Sequence, residues 1–310
     1  NLWLESLIMS KIATVFPYIK TRVPRICAKT KQRHSLTLSS PLRSIVTHIS
    51  PTTSLLRSNA KDNEVYLLGT AHVSDASTQE VVELIRLVQP ATVFVELDPA
   101  RAAQLRNRSG TENDHAESAP FDITNLTSHP LLSGVLGKAA GLPPNFSQIL
   151  ESAPALLKRI GWFPPQGGEM KAALEEADRI GARCVYGDVE FSQTMRELKG
   201  AVGSMALNPA QLANIPYPPS ELKSIFGGLL SGQNDPKKII EMIKTRERAQ
   251  QVTSYLRQCF PSCYHIMVTK RDEHMAKMLR QHCSDGKVVA VVGLAHVEGI
   301  EREWEELDTK

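Results

Sequence analysis

The chain has 310 residues, 42% of them hydrophobic, and a formal net charge of +3, an ordinary globular composition with room for one large domain or two small ones. The charge is uneven: residues 1–61 hold ten Lys/Arg against the single acid Glu5, which leaves residues 62–310 net acidic at −6. A mildly acidic globular part argues against a nucleic-acid partner, and no uninterrupted run of about 18 apolar residues predicts a membrane-spanning helix.

From Lys11 to Lys61 the chain is basic, rich in Ser and Thr, and free of acids. This is the composition of an organelle transit peptide, and the run from Ser35 to Pro41 favours the chloroplast over the mitochondrion. The alternative is a disordered basic leader that touches RNA or, peripherally, an anionic membrane surface. The folded domain is expected to start near Asp62, giving a leader at 1–61 and one domain at 62–310.

Residues 65–68 read as a buried strand that runs into Gly69-Thr70-Ala71-His72-Val73. Residues 77–88 carry apolar side chains at helical spacing behind Ser77 or Thr78 as N-cap, and Pro90 follows the helix. Residues 92–97 form a second buried strand that ends in Glu96, and strand, helix and strand make a parallel βαβ unit. Asp98 before Pro99 has the form of a helix N-cap. Residues 107–125 read as a polar loop and 130–165 as short helices over the site. A helix spans 169–180 and stops at Gly181, and a short strand over 184–188 ends in Asp188. Residues 201–235 read as loops with short helices, 236–258 as a charged helix, and a further helix begins near Val268. The last strand, 288–292, runs into Gly293-Leu294-Ala295-His296-Val297. The expected fold is α/β: a layered domain with a mixed, partly parallel central sheet and helices around it. The five cysteines, Cys27, Cys184, Cys259, Cys263 and Cys283, contain no Cys-x-x-Cys pair and read as reduced thiols.

The phrase strand-Gly-x-Ala-His-Val occurs twice, at the two ends of the expected domain. A single copy is weak evidence, because a lone histidine at a strand end is more often scaffold. Two copies suggest that two strand ends carry His72 and His296 to one place, beyond the carboxyl edge of the sheet where such folds bind ligands. Two neutral imidazoles and the Glu96 carboxylate make a common set of ligands for a catalytic divalent metal. Glu96 would act as ligand or as general base. Arg271 would pair with a substrate carboxylate or stabilise an oxyanion, and Asp188, Asp272 and Glu273 are additional candidates.

At these residues the chain resembles the TraB, or pheromone-shutdown (PrgY-like), family within the Tiki-like superfamily of metallopeptidases. The resemblance rests on Gly69–Ser74, Val95–Asp98 with Arg101, Gly168-Glu169-Met170, Gly187-Asp188, Arg271–Ala276 and Gly293–Ile300, and covers roughly 62–300. It implies His72, Glu96, Arg271 and His296 as the site, with a Mn²⁺- or Co²⁺-type metal and Zn²⁺ as the alternative. The chain departs from the family pattern at Val189-Glu190 and at Lys270. The expected function is a metal-dependent, peptidase-like hydrolase of an organelle acting on a peptide or small molecule. The alternatives are a non-catalytic peptide- or ligand-binding module and an organelle contact-site adaptor.

Overall fold

The structure is a computed structural model, and it describes residues 44–58, 63–70, 75–107, 168–206, 216, 219–222, 245–283 and 286–307. Its centre is a six-stranded sheet of β1 (Ile45–His48), β2 (Thr53–Arg57), β3 (Asn63–Thr70), β4 (Thr92–Val95), β5 (Arg183–Tyr186) and β6 (Gly286–Gly293). The spatial order is β1-β2-β3-β6-β4-β5. The first three strands pair antiparallel, and β3, β6, β4 and β5 pair parallel. The expected mixed α/β sheet is therefore present. One detail differs from the simple βαβ unit: β3 and β4 run parallel, but β6 lies between them.

The strand sequences explain both faces. Tyr66 and Leu68, Val93 and Val95, and Val289 and Val291 enter one core, while Val65 and Leu67, Phe94, and Val288, Ala290 and Val292 enter the other. This period-2 alternation of apolar residues on both faces produces near-continuous hydrophobic runs, as expected of parallel strands covered on both sides. The first face is covered by α1 (Asp75–Val88), α2 (Pro99–Asn107) and α3 (Gly168–Ile180), through Val81, Leu84, Ile85 and Val88, Ala102 and Leu105, and Met170, Ala173, Leu174 and Ala177. α3 ends where Gly181 takes a φ of +71°, a left-handed turn that glycine adopts without steric cost.

Four further helices follow: α4 (Phe191–Ala206), α5 (Arg246–Cys259), α6 (Pro261–Tyr264) and α7 (Lys270–His282), with α8 (Leu294–Glu306) closing the chain's described part. α7 and α8 cover the second face through Met275, Ala276 and Leu279, and Leu294, Val297, Ile300 and Trp304. α4, α5 and α6 build a separate apolar cluster of Met195, Leu198, Val252, Tyr255, Leu256, Cys259 and Cys263. Cys184, Cys259, Cys263 and Cys283 are free thiols. No helix among the described residues is long and apolar enough to cross a membrane.

Several expected boundaries move. The sheet begins at Ile45, so 45–57 belong to the fold and not to a leader ending at residue 61. One long helix, α4, continues through 201–206, at the start of the stretch expected to hold loops with short helices. The charged helix begins at Arg246 because Thr245 adopts an extended backbone and its hydroxyl caps Arg248 N–H, so 236–258 is not one continuous helix. The expected segments 108–125 and 130–165, and the part of the charged helix at 236–244, lie outside the described residues.

The N-terminal hairpin is locked to the body by a buried polar cluster. Ser54 donates to Glu301, and Arg246 donates to both Glu301 oxygens at 2.7 and 3.0 Å and to Ser54 Oγ at 2.9 Å. His48 stands at the exposed rim of this cluster, 3.5 Å from Glu301. Breaking one partner of a buried ion pair strands the other charge. Glu301→Ala should lower unfolding stability by about 3 kcal/mol in urea titrations, and Arg302→Ala, at an exposed neighbour, by less than about 0.5 kcal/mol.

Candidate functional site

The site is built from three strand ends and two helices. Glu96 follows directly on β4 and its backbone N–H still bonds Val291 of β6, so its side chain is fixed at the carboxyl edge of the sheet. Asp188 stands two residues beyond β5. Gly293 ends β6, and His296 sits in the first turn of α8. Arg271 and Asp272 open α7. Glu96, Asp188, Arg271, Asp272 and His296 are all buried.

α7 is aimed by the segment before it. α6 continues through one π-helical turn (His265–Thr269) into α7, with Lys270 N–H bonding His265 O five residues back. A π-turn inserts an extra residue into the helical ladder. The Met267 carbonyl then accepts from Arg271 Nη1 at 3.0 Å, so the arginine's own side chain satisfies backbone next to the insertion.

The remaining guanidinium groups hold carboxylates. Arg271 donates from Nε to Asp188 Oδ1 at 2.9 Å and from Nη2 to Asp188 Oδ2 at 2.8 Å, a bidentate fork, and Nη2 also donates to Glu96 Oε1. Glu96 Oε2 accepts from Gly293 N–H at 2.6 Å. His296 Nε2 lies 3.3 Å from Glu96 Oε1, and His296 Nδ1 lies 2.6 Å from Asp272 Oδ1. Arg101, in the first turn of α2, bridges Asp98 at 2.6 Å to Asp188. The groups therefore form one chain of alternating charge: Asp98, Arg101, Asp188, Arg271, Glu96, His296, Asp272.

Asp98 also performs the capping role read from the sequence, accepting Arg101 N–H at 2.9 Å, so Glu96 is free of that duty. Arg101 Nη1 is buried with no hydrogen-bond partner among the described residues, and the Phe191 ring lies 5.8 Å from the guanidinium carbon, within cation–π range.

Electrostatics follow from the arrangement. Burial pushes Asp188 up, but the guanidinium groups of Arg271 and Arg101 more than reverse it and hold Asp188 below the usual carboxylate range. Burial likewise opposes the charged form of Arg271, and Asp188 and Glu96 outweigh it, leaving its pKa raised. Burial lifts Asp272 to about 6 against the pull of His296. Burial also opposes the His296 imidazolium, yet Glu96 and Asp272 outweigh burial and the repulsion of Arg271, and its pKa is raised to about 9.

The sequence-derived candidates thus divide. Glu96, Arg271 and His296 meet, and Asp188 and Asp272 join them. Glu273 is half-buried and makes no hydrogen bond in this group among the described residues. His72 lies outside the described residues. The register pairs Thr70 with Gly293, so the two Gly-x-x-His phrases leave adjacent parallel strands at one edge of the sheet. Arg271 does not present its guanidinium to solvent as a substrate clamp; its donors are held by Asp188, Glu96 and the Met267 carbonyl. Asp98 and the Gly293 amide were not read as site groups, and only the Asp98-x-x-Arg101 spacing hinted at the first.

A metal can be tested against these donors. A metal-bound histidine usually passes its other ring N–H to a carboxylate, which is the His296–Asp272 arrangement. Two donors on one tetrahedral ion, with bonds of about 2.0–2.1 Å, stand about 3.3 Å apart. The 3.3 Å between His296 Nε2 and Glu96 Oε1 fits that spacing. Four carboxylates (Glu96, Asp98, Asp188, Asp272) meet two guanidinium groups (Arg101, Arg271), so with neutral His296 the group carries two excess negative charges. Among the described residues no third His, Cys, Asp or Glu completes a set of metal ligands.

A family model described as TraB/PrgY/gumN matches residues 55–310. The chain belongs to the TraB/PrgY/gumN family. It is similar to the TraB domain-containing protein of Bos taurus, 28% identical over 260 residues, which cover 78% of this chain and 63% of that one. The Homo sapiens TraB domain-containing protein is 26% identical over 262 residues, with the same coverage of both chains. An uncharacterized protein of Methanocaldococcus jannaschii is 29% identical over 251 residues, covering 79% of this chain and 54% of that one. The chain thus spans less than two thirds of the length of these TraB relatives.

Two measurements check the geometry. The folded pKa of His296 lies above its ordinary value of about 6.5, so its stabilisation is complete below pH 6.5 and is lost as pH rises through about 9. In chelator, urea unfolding of the wild type should lose on the order of 2–3 kcal/mol between pH 6.5 and 9 that a His296→Gln variant does not lose. Gly299 supplies the second check. It faces Asp272 so closely that an added Cβ would lie 1.8 Å from Asp272 Oδ2. Gly299→Ala should cost about 1–3 kcal/mol and remove the same pH dependence by displacing Asp272 from His296.

Proposed function

We propose that this TraB/PrgY/gumN family protein is a metal-dependent hydrolase, peptidase-like in its reaction, acting on a peptide or small molecule. The observation that carries the reading is the facing pair Glu96 Oε1 and His296 Nε2, 3.3 Å apart, with the imidazole oriented by Asp272. Glu96 and His296 would hold a divalent cation of Mn²⁺ or Co²⁺ type, or Zn²⁺, with His72 as a further imidazole. When bound, such an ion supplies Lewis acidity toward a carbonyl and makes a nucleophilic water available near neutral pH.

The chain's own groups have distinct tasks. Asp272 fixes the rotation of the His296 ring and leaves Nε2 facing the site. Arg271 and the Gly293 amide hold Glu96 in place from two sides, so Arg271 is a positioning residue that works through Glu96. Glu96 keeps the site's proton-accepting oxygen beside His296 and can serve as ligand or as general base. Asp188 and Arg101 anchor Arg271, and burial of the whole chain of charges keeps these interactions strong.

A second reading, a non-catalytic ligand-binding module, draws on a different observation: both oxygens of Glu96 and both of Asp188 already accept bonds from protein donors. The basic, acid-free composition of 11–43 supports import into an organelle, the chloroplast before the mitochondrion.

The test is metal titration of the purified chain by calorimetry with Mn²⁺, Co²⁺ and Zn²⁺. One equivalent is expected to bind, with release of a proton from His296 at pH 7.5, visible as a dependence of the heat on buffer ionisation. Glu96→Gln and His296→Gln should each weaken binding by about 10–100-fold or more, and Asp272→Asn by about 10-fold. Binding unaffected by Glu96→Gln and His296→Gln would remove the metal reading and leave the ligand-binding one.

A further inference from the structure

Seven acids are buried among the described residues: Glu96, Asp98, Glu169, Glu176, Asp188, Asp272 and Glu301. Six have a cationic partner. Arg271 serves Glu96 and Asp188, Arg101 serves Asp98, His296 serves Asp272, Arg86 and Arg179 serve Glu176, and Arg246 serves Glu301. Glu169 is the exception. It is 1% exposed, its Oε1 has no hydrogen-bond partner among the described residues, and the carboxyl accepts from its own backbone N–H. Burial raises its pKa, and among the described residues no charged group offsets that.

Glu169 stands at a functional edge. It lies in the first turn of α3, a helix of 13 residues that returns through Gly181 to start β5. A crossover helix runs antiparallel to the strands it connects, so its N-terminus lies at their carboxyl edge. Glu96, Asp188 and Gly293 occupy that edge. The neighbouring Gly168 stands beside Thr78 in the first turn of α1, the helix that follows the first Gly-x-x-His phrase. A buried carboxyl without a partner is costly, and an apolar or amide residue would serve packing alone better.

We infer that Glu169 is the anionic half of a binding subsite for a primary ammonium group, the other half arriving with the ligand. The inference deepens the hydrolase reading and rests on it only for the direction of the substrate: a compound with a free amine would enter with its ammonium at Glu169 and its scissile carbonyl toward Glu96 and His296. The ammonium can belong to a free amino terminus or to a lysine side chain, and the probes below separate the two.

The experiment is thermal unfolding of the full chain and of Glu169→Gln at pH 7 in chelator, below the ordinary α-amino pKa of about 7.7–8.0. The probes are leucinamide, N-acetyl-leucinamide and N-acetyl-lysinamide. Leucinamide is expected to raise the wild-type melting temperature by about 3 °C at tens of Kd and N-acetyl-leucinamide to leave it unchanged. A rise with N-acetyl-lysinamide in place of leucinamide keeps the ammonium subsite and assigns it to a side chain. Glu169→Gln should melt no lower than wild type and respond to none of the three. No rise with either amine, an equal rise with the acetylated leucinamide, a response retained in Glu169→Gln, or a variant that melts lower each overturns the inference. The comparison of probes in the wild type stands without any variant. Because the assay uses neither metal nor turnover, its failure is separate from failure of the hydrolase reading.

Discussion

The structure depends on one side chain. Arg271 reaches from the start of α7 to the ends of β4 and β5, gripping Asp188 with a two-pronged fork and Glu96 with the same terminal nitrogen. A lysine could not make this contact, since a point-charge ammonium lacks the planar geometry that satisfies two carboxylates at once. The buried carboxylates of Glu96 and Asp188 would repel each other, and the guanidinium placed between them turns that repulsion into a chain of alternating charge. Glu96 then has one fixed position, and the His296 ring has a fixed neighbour.

The π-turn before Arg271 belongs to the same design. It interrupts the α-helical ladder one turn upstream of two consecutive buried residues, Arg271 and Asp272, which must serve different partners. Arg271 turns to Glu96 and Asp188, and Asp272 turns to His296 on α8. Gly299 leaves the room on α8 that Asp272 needs. Packing of α7 against α8 and the orientation of His296 are in this sense the same contact, which ties the stability of the second core to the chemistry at the sheet edge.

Much of this was legible in the sequence, for physical reasons. Residues 65–68, 92–95 and 288–292 are apolar on both faces, and α1 and α3 show helical periodicity with a clear cap or glycine stop. The duplicated Gly-x-x-His phrase pointed to one edge, Glu96 stood out as a carboxylate ending a buried strand, and the family resemblance implied the same Glu96 and Arg271. The strands at 45–57 were hidden because their basic, hydroxyl-rich composition also suits a leader. α4 was hidden because Met195 and Leu198 pack on other helices and not on the sheet. The Thr245 cap was overlooked inside a charged stretch that looked continuous. The links from Asp188 to Arg271 and from Arg101 to Asp188 join residues up to 87 positions apart, and no local pattern announces them.

Glu96 and His296 are proposed above as two ligands of one divalent ion. A crystal of the protein soaked in Mn²⁺ and measured for anomalous scattering tests it most directly. One strong peak is expected in contact with both Glu96 Oε1 and His296 Nε2, with the His296–Asp272 bond retained. A peak bound elsewhere, or none while Glu96 and His296 keep their contact with each other, would contradict it and leave the charged chain as the scaffold of a ligand-binding protein.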